Sequence, residues 1–287
     1  LKTQKLAKEF QDIISNSSVD IYPWDYTIIA ANKLNWRPRV VIQSYASYTS
    51  WLDNKNANHF CSELAPDYLI WERDKISNDI NAGKFNSIDG RYLLNDEPQT
   101  IIELLKSYEP SISDKKFQLF KKRENRLAIE KSTGGSIEST WRNWIKIPKT
   151  SSGLMRAKLV FDKTTTQKIK SFLYKDEQFW IYLKLSNGLI HKYRIVPKNA
   201  ADGIWINPYL FNSESSYNVD SIMFVASNQN ILTEKIQVNF EKFTFEKHPN
   251  IIHDFFELAK NYKDSLLVCS LNSYEKQNPH WSILQPN

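Results

Sequence analysis

The chain has 287 residues and a formal net charge of +6, with 41% apolar and 13% aromatic residues, 7 glycines and 2 cysteines. This composition excludes a disordered or low-complexity chain, and two cysteines exclude a disulfide framework. No stretch approaches the ~20 consecutive apolar residues of a membrane helix. The basic residues are spread along the chain, without zinc-finger, RNP-like or basic-helix patterning, so no nucleic-acid partner is expected. Cys61 and Cys269 are expected to be small buried residues. The first ten residues, LKTQKLAKEF, are polar and helix-like, with no signal-peptide pattern. Because the chain begins on Leu1, it is expected to be a fragment or processed form with any targeting or membrane segment upstream.

In chain order, Leu6, Phe10 and Ile13/Ile14 recur at helical spacing and predict a helix over 3–16. Val19–Tyr22 reads as a strand ended by Pro23, and Tyr26–Leu34 as a helix that Asp25 can cap. Arg39–Gln43 reads as a second strand and Thr49–Glu63 as a helix with Trp51, Leu52, His59 and Phe60 available to face inward. Tyr68–Trp71 is a third strand, 73–96 is irregular, Glu97–Tyr108 a helix and Lys116–Lys122 a final strand. This alternation predicts a small Rossmann-like α/β domain over 1–125. Near Arg126 the character changes. Residues 132–139, STGGSIES, read as a polar link, and after it the apolar period falls to two. Phe179–Leu185 and Leu189–Val196 form a hairpin around Ser186-Asn187-Gly188, with further strands at 143–147, 155–161, 221–226 and 236–246. These predict an antiparallel, jelly-roll-like β-sandwich over 126–248. Ile251–Tyr262 reads as a helix and Leu266–Cys269 as a strand within a C-terminal segment, 249–287, packed on the domains.

The polar residues gather between Ser18 and Tyr48, at the expected strand ends, where open α/β sheets keep their ligands. Tyr22-Pro23-Trp24-Asp25 stands where a dinucleotide fold needs a glycine-rich loop, so no cofactor is expected. Asp20 and Asp25 fit an acid–base pair, or a helix cap and an arginine partner. Arg37 and Arg39 flank a proline, which puts them on one side of an extended segment. There they fit a phosphate or carboxylate grip, or ion pairs with Asp20, Asp25 or Asp89. Ser44 has no nucleophile elbow around it. His59 reads as an interior or boundary histidine, and His59, His191, His248, His253 and His280 lack metal spacing, so no metal is expected. Trp180, Tyr182, Trp205 and Tyr209 fit either sugar stacking or ordinary strand packing.

The segment VDIYPWDYTIIAANKLNWRPRVVIQSYASYTSWLDNKNANHF, followed by APDYLIW and IDGRY and later by GLIHKYRIVPKNAADGIWINPYL, resembles the soluble C-terminal region of a group of large polytopic bacterial membrane proteins without an established activity. Their layout is similar to that of envelope glycosyltransferases. The matching positions are Pro23, Trp24, Asp25, Asn32, Arg37, Pro38, Arg39, Gln43, Ser44, Tyr45, Tyr48, Asn56, His59, Asp89, Gly90 and Arg91. Lys55 stands where the pattern has Leu, and Asn207 where it has Ser. The resemblance implies membrane helices upstream and a periplasmic or cell-surface location. The expected function is an extracytoplasmic module binding a glycan, a lipid-linked sugar or another envelope protein. Its ligand candidates are Asp20, Trp24, Asp25, Asn32, Arg37, Arg39, Gln43, Tyr45, Tyr48, His59, Asp89 and Arg91. The alternatives are a sugar- or phosphoryl-transfer enzyme using Asp25, Arg37 and Arg39, and a scaffold between membrane helices and partners.

Overall fold

A computed structural model describes residues 4–72, 85–149, 153–162, 177–212, 215–228, 232–245, 248 and 250–256. The first half runs α1 (Lys8–Ile14), β1 (Ser18–Tyr22), α2 (Thr27–Asn32), β2 (Asn35–Trp36), α3 (Ser50–Cys61), β3 (Tyr68–Glu72), α4 (Pro98–Ser107), β4 (Tyr108–Ser113) and β5 (Phe117–Lys122). Its sheet has the order β2-β1-β3-β5-β4. β1 is parallel to β2 and β3, and β5 is antiparallel to β3 and β4. Every residue of β1 is buried because both sheet faces are covered. Val19, Ile21, Ile70, Phe117 and Leu119 meet Phe10, Ile14, Ile28 and Ile29 of α1 and α2 on one face. Tyr22, Leu69, Trp71 and Phe120 meet Phe60 of α3 and the apolar stripe of α4 on the other.

Three expectations need correction here. The second strand is Asn35–Trp36, not Arg39–Gln43. Pro38 cannot donate to a ladder, and Arg39 turns into the interior while Val40 is exposed. On α3, Thr49 Oγ1 caps Leu52 N–H at 3.3 Å. The face it turns inward carries Asp53, Asn56, Ala57 and Phe60, whereas Trp51 is 64% exposed. Cys61, at the end of α3, is also exposed. β4 had no counterpart in the sequence reading. It is tied to β5 by a tight turn in which Asp114 Oδ1 accepts from Lys116 N and Phe117 N.

The second half runs β6 (Ile129–Thr140), β7 (Ile145–Lys146), β8 (Leu154–Val160), β9 (Phe179–Leu185), β10 (Ile190–Ile195), α5 (Pro197–Asp202), β11 (Ile204–Asn207), β12 (Tyr209–Asn212), β13 (Ser215–Tyr217), β14 (Val219–Ala226), β15 (Lys235–Phe245) and α6 (Ile251–Phe256). Two four-stranded antiparallel sheets, β10-β9-β14-β7 and β11-β8-β15-β6, and the hairpin β12-β13 make the protein mixed α/β with strands predominating. The polar stretch 132–139 is not a link but the middle of β6, paired with β15 along its length. β6 lies at the end of its sheet, so its outward side chains stay polar. A Cβ on Gly134 would lie 2.9 Å from the Phe240 Cβ, which explains why glycine stands at that crossing. The β9–β10 hairpin forms as read, with Gly188 at φ +89°. The helix expected over 251–262 is described to Phe256. Its remainder and the strand expected at Leu266–Cys269 lie outside the described residues. Among the described residues no helix is long and apolar enough to cross a membrane.

The first sheet ends at Lys122 and the β-rich half begins at Ile129, but side chains of both halves belong to one hydrophobic cluster. α6 joins them: Phe255 stacks on Phe120 at 4.1 Å, and Phe256 meets Trp71 at 5.5 Å and Trp205 at 6.3 Å. Polar ties add to this. Arg156 Nη1 donates to Pro98 O at 2.9 Å, and Arg156 Nη2 pairs with Glu241 at 3.2 Å. Tyr92 Oη donates to Leu210 O and accepts from Leu210 N, both at 2.9 Å. Gly203, at φ +135°, leaves room for Arg156, whose Nε would lie 2.7 Å from an added Cβ. Gly203→Ala is expected to destabilise the fold by roughly 1–3 kcal/mol through backbone strain and displacement of this buried guanidinium. The unfolding midpoint in denaturant is the check.

Candidate functional site

The strand-end crevice where the sequence places a ligand is filled by the protein itself. β1 ends at Tyr22, before a cis Tyr22-Pro23 bond. Tyr22 stacks on Trp71 of β3 at 4.5 Å, and the Arg39 guanidinium covers its ring at 5.0 Å. Arg39 pairs with Asp20 at 3.0 Å, both side chains being almost fully buried. Arg39 also donates to Ile21 O at 2.6 Å, Pro23 O at 2.5 Å and Ile42 O at 2.8 Å. Asp20 accepts further from Trp36 Nε1 at 3.0 Å. This arrangement fastens the 37–43 segment over the end of β1 and leaves neither charge for a ligand. Burial, and then the charge of Glu97, pushes the Tyr22 phenol well above its ordinary pKa.

The other expected residues separate. Arg37 is exposed while Arg39 is buried, so the pair does not form one grip. Asp25 Oδ1 accepts from Thr27 N and Thr27 Oγ1 at the start of α2, and Oδ2 accepts from Gln4 Nε2 at 3.1 Å. Asn32 accepts from Leu6 N at 3.0 Å and donates to Gln4 O and Ile28 O, tying down the N-terminal segment. Ser44 is fully buried at the start of a short turn that Gln43 enters. His59 is half-buried and its pKa is lowered, chiefly by burial. Trp24 and Tyr45 meet edge to face at 5.4 Å. In the β-rich half, Tyr182, Trp205 and Tyr209 are buried and Lys192 lies over Trp180 at 4.9 Å. These four do not form an open sugar platform. Asn207 is buried too. Its side chain donates to Val219 O and accepts from Val219 N, bridging β11 to β14.

Behind this surface lies a buried polar web that the sequence reading missed. Glu97 Oε1 accepts from Ser47 Oγ at 2.7 Å and Asn56 Nδ2 at 2.5 Å, while its Oε2 makes no hydrogen bond. Burial outweighs the attraction of Arg39 and raises Glu97 to about 7. Asp53 accepts from Gln99 N, Thr100 N and Thr100 Oγ1, and burial still raises it to about 6. Asp96, bonded to Ser87 Oγ and 3.5 Å from Arg91, is likewise raised by burial to about 6. From the β-rich half, Asn199 Nδ2 reaches Ser47 O at 2.8 Å and Asp96 O at 2.6 Å. In sequence, Asp96-Glu97-Pro98 reads as an ordinary acidic helix start, and nothing local marks these carboxyls as interior. Among the described residues no group of three His, Cys, Asp or Glu side chains is placed to hold a metal ion.

A groove of about 570 Å³ lies open between the halves, within the ~300–1,000 Å³ range of ligand pockets. Tyr48, Asp89 and Arg91 line it from the first half, and Phe161, Arg194 and Lys198 from the second. Tyr48 is 52% exposed, with the Arg91 guanidinium 5.6 Å from its ring centroid. Arg91 is held by Tyr45 O at 3.1 Å, by Ile88 O and by Asp96. Asp89, at φ +56° in the turn Ile88–Gly90, pairs with Arg194 at 2.9 Å. Thus three of the sequence candidates, Tyr48, Asp89 and Arg91, meet at one open surface. Arg194 and Lys198, which were not among the ligand candidates, and the carboxylate of Glu177 line the same surface. No protein-family model, curated protein or solved structure matches the chain.

Proposed function

We propose that this chain is a saccharide-binding module and that the groove between its halves is where the saccharide lies. The observation that carries this reading is Tyr48: an exposed aromatic ring held by a buried arginine, on the wall of a groove of ligand size. An aromatic face suits the C–H face of a sugar ring, and the flanking polar groups suit its hydroxyls. The wider proposal is a Rossmann-like α/β unit followed by a jelly-roll-like sandwich, carried by a bacterial membrane protein on the outer side of the cytoplasmic membrane. The sequence resemblance supports that placement, and the parallel 2-1-3 strand order with two antiparallel four-stranded sheets supports the fold reading. A transfer reaction through Asp25, Arg37 and Arg39 gains no support, because Arg39 is enclosed with Asp20 and Asp25 is engaged by Thr27 and Gln4.

The test is a binding screen of the chain against envelope saccharides, repeated with Tyr48→Ala. Binding is expected for the wild type and a loss of about tenfold or more for the variant, a change of ~1.4 kcal/mol or above. Silence across a broad panel, or equal binding by Tyr48→Ala, overturns the reading.

A further inference from the structure

The cations of the groove are not equivalent. Arg91 is 4% exposed and its guanidinium is occupied by Ile88 O, Tyr45 O and Asp96. It holds Tyr48 and has little left for a ligand. Lys198 is exposed and makes no hydrogen bond or ion pair among the described residues. Arg194 stands four positions earlier on the same wall and touches Asp89 through Nη1 alone, at 2.9 Å. The Asp89 side chain is 60% exposed and that of Arg194 29%. An exposed pair of this kind contributes only ~0–1 kcal/mol. A ligand anion can therefore displace Asp89 from Arg194 at small cost, using the planar donor fork of the guanidinium.

We infer that the groove takes a saccharide bearing an anionic substituent, held by Lys198 and Arg194, with Asp89 occupying the place of that anion when the groove is empty. This rests on the saccharide reading of the groove and adds the charge of its ligand. Carboxylate and phosphate substituents share the required chemistry.

The experiment is calorimetric titration of the chain with three probes: an oligogalacturonate, a neutral galactose oligosaccharide of the same length, and galactose 1-phosphate. At least one anionic probe is expected to bind about tenfold or more tightly than the neutral one. Lys198→Gln should reduce that preference to about threefold or less, and Asp89→Asn should tighten anionic binding. Raising the salt from about 50 to about 500 mM should weaken the anionic probes and leave the neutral one nearly unchanged. Both substitutions lie at exposed positions, so folding is checked directly from an unchanged unfolding midpoint. The carboxylate and phosphate arms identify which anion is used. If the neutral probe binds as tightly as the anionic ones and Tyr48→Ala abolishes its binding, the anion inference falls and the saccharide reading stands. If anionic preference survives Lys198→Gln together with Arg194→Gln, or if no probe binds, the inference is overturned.

Discussion

Arg39→Ala is expected to destabilise the protein by about 3–5 kcal/mol, the cost of leaving one partner of a buried ion pair alone. Arg39 and Asp20 are 2% and 1% exposed, so water cannot take over the role of the lost guanidinium. Asp20 would keep only Trp36 Nε1 and the backbone N–H of residue 39, and the carbonyls of Ile21, Pro23 and Ile42 would each lose a donor. Domains of ordinary stability have ~5–15 kcal/mol in total, so the variant should show a large drop in its unfolding midpoint. Arg39→Lys should restore only part of it, because an ammonium cannot reproduce the planar fork that reaches three carbonyls. The double variant Asp20→Asn with Arg39→Met should be milder than Arg39→Ala, since no unpaired charge stays buried. A cost below about 1 kcal/mol for Arg39→Ala would show that the pair is not the fastener of the 37–43 segment.

Glu97→Gln should become increasingly stabilising as the pH rises. Glu97 is raised from 4.5 to about 7 by burial in the folded protein, so the folded state holds its proton more tightly than the unfolded state. The stability this proton provides is fully present below about pH 4.5 and is lost as the pH climbs through about 7, flattening above that. Glutamine keeps an acceptor for Ser47 and Asn56 but cannot ionise. The variant and the wild type should therefore match near pH 4 and differ by about 3 kcal/mol in favour of the variant near pH 8, at ~1.4 kcal/mol per tenfold. Asp53 and Asp96, each raised from 3.8 to about 6, give the wild type the same slope in a slightly lower window. His59 and His191, both lowered by burial, oppose it, because their stabilisation falls away as the pH drops below 6.5. The difference between variant and wild type removes these shared contributions. A pH-independent difference would place Glu97 in a solvated or fully compensated site.

The sequence by itself determined the elements whose periodicity expresses their own burial. β1, α4, β9 and β15 are legible because apolar residues recur at the spacing of the face they cover. The change from mixed α/β to antiparallel strands near residue 126 is legible for the same reason. What only the tertiary structure decided is the fate of polar residues. Arg39 reads as an anion grip or as an ion-pair partner of Asp20, and the pair lies inside because three carbonyls from separate positions converge on the same guanidinium. The stretch 132–139 reads as a linker and forms a strand, because β15 supplies hydrogen bonds to a polar edge. The carboxyls of Asp53, Asp96 and Glu97 look like exposed helix acids but are buried, with hydrogen-bond donors up to 50 residues away. Tyr48, Asp89 and Arg91 stood together as candidates, but the groove that unites them with Arg194 and Lys198 exists only once the two halves pack. Apolar burial is written locally, as a period, whereas a charge is placed by partners that come near only through folding.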